Sequence, residues 1–321
     1  MSDETNTNND GCCDPSTGCC GGGAKPSVAA LAGEQLRTTV RTGYAQIAQS
    51  GTWNDARAVR SSDGVDACCS SGGGCCGPSD FTPDQLAQAI GYSDDELAST
   101  PESANMGLSC GNPTALASLT HGEVVLDLGS GGGFDCFIAG RKVGVEGRVI
   151  GIDMTPEMIG KARTNTASYS ERTGLDNVEF RLGEIEHLPV ADASVDVVIS
   201  NCVLNLAPDK AQVWREIARV LKPGGRVAVS DLALLKALPE NVMADAEALV
   251  GCVSGAVLVE ETRAQMNAAG LADIVLTPKS DYVDAMSSLG DPLYERIASG
   301  LPEGTGPGDY ITSLDMSARK A

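Results

Sequence analysis

The sequence predicts an α/β fold: a mixed, mostly parallel sheet with helices on both faces, preceded by a Cys-rich helical cap and followed by a C-terminal extension. Two observations carry this. Short apolar runs rich in Val and Ile alternate through the middle of the chain with longer amphipathic segments, the pattern of strands buried on both faces between helices. The first such run, Val124–Leu128, meets a glycine-rich turn from Gly129 to Gly133 and a helix from Phe134 before the second run, Arg148–Asp153, giving strand, glycine loop, helix, strand and acidic end in order.

The elements follow from local chemistry. Residues 1–30 are polar and Gly-rich, a disordered tail apart from its cysteines. Leu31, Leu36, Val40, Tyr44 and Ile47 recur at helical spacing up to Gly51. Thr82-Pro83-Asp84 starts a second helix through Ile90, Ser93-Asp94-Asp95-Glu96 caps a third, and 105–113 crosses by loop, so 31–113 reads as a helical cap with a Cys-rich loop. The core, 114–236, continues with a helix over Pro156–Thr173, strands at Val178–Leu182 and Val195–Ser200, a helix through Trp214–Val220 and a strand at Arg226–Asp231. Lys222-Pro223-Gly224-Gly225 ends that last helix. In 237–321 a helical insertion over 238–259 carries Cys252, and Thr262–Ala269, Ile274–Pro278 and Tyr310–Ala318 supply a helix and two final strands.

Composition narrows the functional classes. The 321 residues, 42% hydrophobic, can bury a substantial core. A net charge of −20, with Lys scarcer than Arg, repels phosphate backbones and anionic lipid, so neither nucleic acid nor a membrane is an expected partner. Such an acidic excess also suits solvation at high salt, and a halophilic source is expected. The start, Met1 to Asn6, lacks a basic region followed by an apolar one, and the longest apolar run, 248–259, is too short to span a bilayer, so the expected location is cytoplasmic. There the twelve cysteines are expected to be thiols, which points to metal, metalloid or redox chemistry. Cys12-Cys13 and Cys19-Cys20 are spaced as Cys68-Cys69 and Cys75-Cys76 are, a short internal duplication.

The glycine loop and the acid at Asp153 describe a nucleotide-binding unit, because glycines admit a ligand close to the backbone and the acid can accept from both ribose hydroxyls. A dinucleotide fits poorly, since the third glycine of that fingerprint would fall on Phe134. Asp127 to Gly133, as Asp-x-Gly-x-Gly-x-Gly, instead resembles motif I of the class I, Rossmann-like S-adenosylmethionine (SAM) methyltransferases. This resemblance implies SAM as methyl donor. It places Gly129, Gly131 and Gly133 along its methionine and ribose, Asp153 on the ribose diol, Met154 on the adenine face, Glu184 at the adenine edge, Asp127 beneath the loop, and Asn201 among the cofactor residues. Glu184, without that context, reads equally as a solvated loop carboxylate.

Cys202 follows the fourth strand at the carboxyl edge where open α/β sheets bind ligands, and Cys252 can fold over the same edge. Cys136, on the first core helix, reads as a small hydrophobe. The segments Gly107 to Pro113, Asn201-Cys202-Val203-Leu204-Asn205-Leu206 and Gly251 to Ala256, with Tyr44 and the Cys68-Cys69 loop, make the chain similar to the prokaryotic arsenite methyltransferases. The resemblance covers most residues from about 36 to 278. It implies methyl transfer from SAM to arsenite or methylarsonite held by Cys69, Cys202 and Cys252, giving methylarsenicals and S-adenosylhomocysteine. Cys68, Cys75 and Cys76 are alternates for Cys69, and thioredoxin or a small thiol is the implied reductant. Trivalent arsenic is soft, takes three thiolates in a pyramid and keeps a lone pair for the methyl group. No general base is required, in keeping with His121 and His187 standing in turns outside any relay. The Cys12 to Cys20 cluster can hold arsenite, store reducing equivalents or bind zinc. Methylation of a small organic acceptor, or sequestration of the metalloid without turnover, are the competing functions.

Overall fold

The computed structural model describes residues 33–56, 82–243 and 252–321. The expected tail, the cysteines from Cys12 to Cys20, the loop holding Cys68, Cys69, Cys75 and Cys76, and the middle of the 238–259 insertion lie outside these residues.

Within them the chain forms α1 (Glu34–Ser50), α2 (Pro83–Ala89), α3 (Asp94–Ser99) and α4 (Pro113–Leu116), then β1 (Val124–Leu128), α5 (Phe134–Val143), β2 (Arg148–Asp153), α6 (Pro156–Thr173), β3 (Val178–Leu182) and β4 (Val195–Asn201). After these come α7 (Lys210–Val220), β5 (Leu221–Leu234), α8 (Glu240–Met243), α9 (Val259–Ala268), β6 (Leu271–Lys279), α10 (Asp281–Ser288), α11 (Pro292–Gly300) and β7 (Ile311–Lys320). Helix starts carry their expected caps. Thr82 with Gln85, and Ser93 with Glu96, exchange side-chain and backbone bonds as capping boxes. Asp209 accepts from the Gln212 N–H at the start of α7.

The strands form one sheet in the order β3-β2-β1-β4-β5-β7-β6. β1 to β5 run parallel, while β7 is antiparallel to both β5 and β6. Side chains alternate across it. Val125, Val197 and Ile199 join one apolar cluster with α5 and α6, and Leu126, Leu128 and Val198 join the other with α7 and α9. α7 buries Val213, Trp214, Ile217 and Val220 along a single stripe.

Three details depart from the sequence reading. β6 and β7 are longer than expected, because pairing with a neighbour extends them past their apolar stretches. The Lys222 to Gly225 turn is looped out of the β4–β5 ladder, whose register shifts between Val195–Leu221 and Val197–Arg226. The helices α10 and α11 were not anticipated, although Asp291 followed by Pro292 is a start signal: the Asp291 carboxylate accepts from the N–H groups of Leu293 and Tyr294. Pro278 is tolerated because β6 is an edge strand.

Trp214 is 1% exposed between α7 and the sheet. Trp214→Ala should cost about 3–5 kcal/mol, read as a lowered midpoint in urea unfolding; a loss under about 1 kcal/mol would refute the packing described for that face.

Candidate functional site

The strand order reverses between β1 and β4, and ligands in open α/β sheets bind at the carboxyl ends beside such a reversal. There the structure holds a cleft of about 950 Å³ that opens to solvent. The glycine loop forms one wall. Gly129, Gly131 and Gly133 have φ values of 69°, 52° and 95°, a region side chains rarely enter. A β-carbon on Gly129 would stand 2.0 Å from Val203 Cγ2. The N–H groups of Gly129 and Ser130 both donate to the Ile152 carbonyl, at 2.7 and 2.9 Å, tying the loop to β2.

Asp153 ends β2 and is 9% exposed. Its Oδ2 accepts from the Gly131 N–H at 3.0 Å and its Oδ1 from the Thr155 N–H at 2.8 Å, which leaves further lone pairs facing the cleft. Burial raises its pKa against those two bonds. Asp127 and Asp135 line the same cleft. Burial, then the neighbouring Asp135, pushes Asp127 well above the carboxylate range. Burial lifts Asp135 to about 6, opposed by hydrogen bonds from Tyr92 and Asn201. The Cys136 thiol donates to Asp127 Oδ2 at 3.1 Å, so this residue, expected only to fill space, also satisfies a buried carboxylate.

Asp127, Gly129, Gly131, Asp153, Met154, Asn201 and Cys202 all line the cleft. Gly133 does not. A β-carbon there would meet the rings of Phe137 and Phe180 at 2.6 and 2.7 Å, so this glycine lets α5 pack on the sheet. Glu184 also stands outside the lining, drawn away by Arg37 and Arg41 of α1 at 3.3 and 3.5 Å, and its neighbours Ile185 and Glu186 face the cleft instead. The Asn201 carboxamide lines the wall while bonded to protein: it donates to Tyr92 Oη, the Gly111 carbonyl and Asp135 Oδ2 at 2.9, 2.9 and 3.1 Å, and accepts from the Cys110 N–H at 3.1 Å. His121 and His187 are exposed and border neither this cleft nor its neighbour.

A smaller cavity of about 460 Å³ adjoins the large cleft, sharing Cys202, Tyr44 and Leu108 with it and lined also by Cys252. Cys202 and Cys252 are buried and hold φ values of 54° and 64°, costly for residues with a β-carbon. The Cys252 thiol donates to the Cys202 carbonyl at 2.8 Å. Its loop can come this close because Gly255 has no side chain: a β-carbon there would stand 2.0 Å from the Asn205 carbonyl oxygen.

Cys110 was not among the expected ligands. It is joined to Cys202 by a disulfide with Cα atoms 6.0 Å apart, which corrects the expectation that every cysteine is a free thiol. The loop is held there by close contacts with two serine side chains, since a β-carbon on Gly111 would stand 2.6 Å from Ser230 Cβ and Ser313 Oγ donates to the Cys110 carbonyl at 2.8 Å. The clue in the sequence was a cysteine flanked by Ser109 and Gly111 before Pro113. Asp231, also unanticipated, lies with the Cys110 and Cys202 sulfurs so that all three ligand atoms fall within 4.8 Å. Burial lifts Asp231 to about 6 against hydrogen bonds from the Leu232 and Asn205 N–H groups. Burial, then Asp231, keeps the Cys252 thiol well above its ordinary pKa. Cys68 and Cys69 lie outside the described residues.

Sheet order, glycine loop and cleft together define a class I methyltransferase, and residues 119–280 match the family described as "Methyltransferase domain". The chain is 46% identical over 287 residues to an arsenite methyltransferase of Halobacterium salinarum, a match covering 89% of this chain and 67% of that protein. It is 44% identical over 160 residues to an arsenite methyltransferase of Aquipseudomonas alcaligenes, covering 49% of this chain and 45% of the other. Among solved structures it resembles an arsenic(III) S-adenosylmethionine methyltransferase from Chlamydomonas reinhardtii, with 29% identity, a TM-score of 0.50 and 74% of each chain covered. The chain belongs to the arsenite methyltransferase family. It spans two thirds of the length of the first relative and less than half of the second.

Gly129→Ala should weaken SAM binding about tenfold or more, because both the left-handed backbone and the Val203 contact oppose a β-carbon. Adding Val203→Ala should restore part of the affinity by calorimetric titration; full affinity in the single variant would show that the loop does not need this glycine.

Proposed function

We propose that this chain transfers methyl groups from SAM to trivalent arsenic held by cysteine sulfur, yielding methylarsenicals and S-adenosylhomocysteine. The observation that carries the reading is the position of Cys202, which stands in the wall of the large cleft and of the smaller cavity at once. The residues of the large cleft fit the donor. Ser130 Oγ is buried without a partner among the described residues, the glycine loop leaves room for a ligand against its backbone, and Asp153 has lone pairs to spare. When bound, SAM supplies a methyl group on a positively charged sulfur. Asp153 would take the ribose diol, Met154 the adenine face and the Gly129–Gly131 backbone the methionine portion. Glu184 would reach the adenine edge only by leaving Arg37 and Arg41.

On the acceptor side, Cys202 and Cys252 are two of the arsenic ligands, and Cys69, or Cys68 as alternate, is the third. Cys110, joined to Cys202, is placed to exchange with these thiols and to form the oxidised pair. Raised thiol pKa values are no obstacle, because each thiol proton leaves with a hydroxide of arsenite as water. After transfer, two thiols supply the two electrons that return arsenic to the trivalent state and close to a disulfide. Cys110 and Cys202 are paired in that way. Thioredoxin or a small thiol would reopen the bond by exchange. Among the described residues no helix is long and apolar enough to cross a membrane. A cytoplasmic setting at high salt agrees with the acidic composition.

Two outcomes test this. S-adenosylhomocysteine release should require arsenite and a thiol reductant, and Cys202→Ser and Cys252→Ser should each lower it about 100-fold or more, by analogy with losing a positioned reactant. Release indifferent to both variants would point to an organic acceptor, and tight arsenite binding without release would point to sequestration.

The donor's positive charge makes its affinity depend on ionised carboxylates in the cleft. As pH falls through about 6, Asp135 takes up a proton and one negative charge is lost. SAM affinity should therefore hold above about pH 7 and drop below 6, and Asp135→Asn should bind more weakly at pH 7.5 with a smaller downward step. A flat profile in the unmodified chain, measured by calorimetry, would exclude this role.

A further inference from the structure

On the reading above, methyl transfer moves charge. The arsenic lone pair forms the new As–C bond, the electron pair of the broken S–C bond stays on the donor sulfur, and the positive charge passes from sulfur to a four-coordinate arsenic. A cation must then be stabilised beside Cys202.

The smaller cavity suits that task. Tyr44, Trp53, Tyr282 and Tyr294 line it beside Cys202 and Cys252. Tyr282 and Tyr294 meet edge to face, with centroids 6.0 Å apart and planes at 75°, so two ring walls stand nearly at right angles. The Tyr44 hydroxyl is 4.0 Å from Cys252 Sγ. Asp291, 1% exposed, adds a carboxylate to the lining, and no Lys, Arg or His contributes to it among the described residues. Aromatic faces are electron-rich and attract compact cations, most strongly where water is excluded. Burial, first of all, raises the Tyr282 and Tyr294 hydroxyls well above their ordinary pKa, so both rings stay neutral phenols.

We propose that the smaller cavity is an onium site, whose aromatic walls and Asp291 take four-coordinate, positively charged arsenic and, by the same chemistry, other small quaternary cations. Its natural ligand rests on the arsenite reading; its preference for a cation over a neutral body of equal bulk does not.

Calorimetric titration of the reduced full chain with tetramethylarsonium, and with uncharged 3,3-dimethylbutan-1-ol, tests the site. The arsonium should bind about tenfold or more tightly than the alcohol. Tyr282→Leu and Tyr294→Leu should each weaken it about fivefold, whereas Tyr282→Phe, which keeps the ring face, should stay within about twofold. Asp291→Asn keeps a good helix cap while removing the charge, and should weaken arsonium binding about threefold. Equal affinity for the two probes, or unchanged arsonium binding in leucine variants that still melt cooperatively, would overturn the proposal. If the leucine variants do not fold, the probe comparison and Asp291→Asn decide it. Arsenite-dependent S-adenosylhomocysteine release from the same preparation separates the two readings. Release without arsonium preference overturns the onium site alone, and preference without release overturns the arsenite reading while the site stands.

Discussion

A carboxamide at the end of β4 bonds three separate stretches of chain to one another: the Asn201 side chain reaches the backbone of Cys110 and Gly111, the hydroxyl of Tyr92 and the carboxylate of Asp135. Its donors and its acceptor all have protein partners, so no small rotation can trade one bond for another without leaving a polar group unmet. The Cys110 loop, the helical layer before the sheet and the first turn of α5 are thereby referred to a single point at the carboxyl end of β4. The placing of sulfur next to the donor cleft depends on that point, because the Cys110 backbone is fixed by Asn201 on one side and Ser313 on the other.

Electrostatics run against stability here. Asp127, Asp135, Asp153 and Asp231 are all buried, and burial raises the pKa of each. A core assembled for stability alone would not gather four such groups, since desolvation of carboxylates opposes folding wherever they remain ionised. A positively charged ligand would offset that cost, and perturbed carboxylates gathered at one site, three lining the cleft and Asp231 beside the Cys110 and Cys202 sulfurs, are a mark of function. The ion pairs away from the cleft are of another kind. Arg226 with Glu123 and Arg219 with Glu216 depress their carboxylates in the ordinary manner of ion pairs, far from the chemistry.

Much of the core could be read from the sequence because its signals are local. A strand buried on both faces needs an unbroken apolar run, and a loop that admits a ligand against its backbone needs glycine at left-handed positions, so β1, the glycine loop and Asp153 announce themselves within thirty residues. That Cys202 and Cys252 come together at one sheet edge could be read because strand ends and glycine-flanked loops also mark themselves. Contacts made across long stretches of chain were not. Cys110 and Cys202 are 92 residues apart, and nothing in either neighbourhood says that they meet. Glu184 was placed by its local motif, yet Arg37 and Arg41 approach it from α1, across more than 140 residues. β7 looked like a terminal strand, but inserts between β5 and β6 and becomes central, which is why Ile311 through Met316 are buried without alternation.

Cys202 belongs to the walls of two cavities, and this has a kinetic meaning. On the proposed reading donor and acceptor would occupy different compartments, whose linings share Cys202, Tyr44 and Leu108. A used donor could then be replaced from one side while arsenic kept its sulfur ligands on the other. How many methyl groups are added during one stay of the arsenic then becomes a race between donor exchange and sulfur–arsenic dissociation. Processivity in such a protein is a ratio of two lifetimes, adjustable by reductant and donor supply without any change in the shape of the pocket.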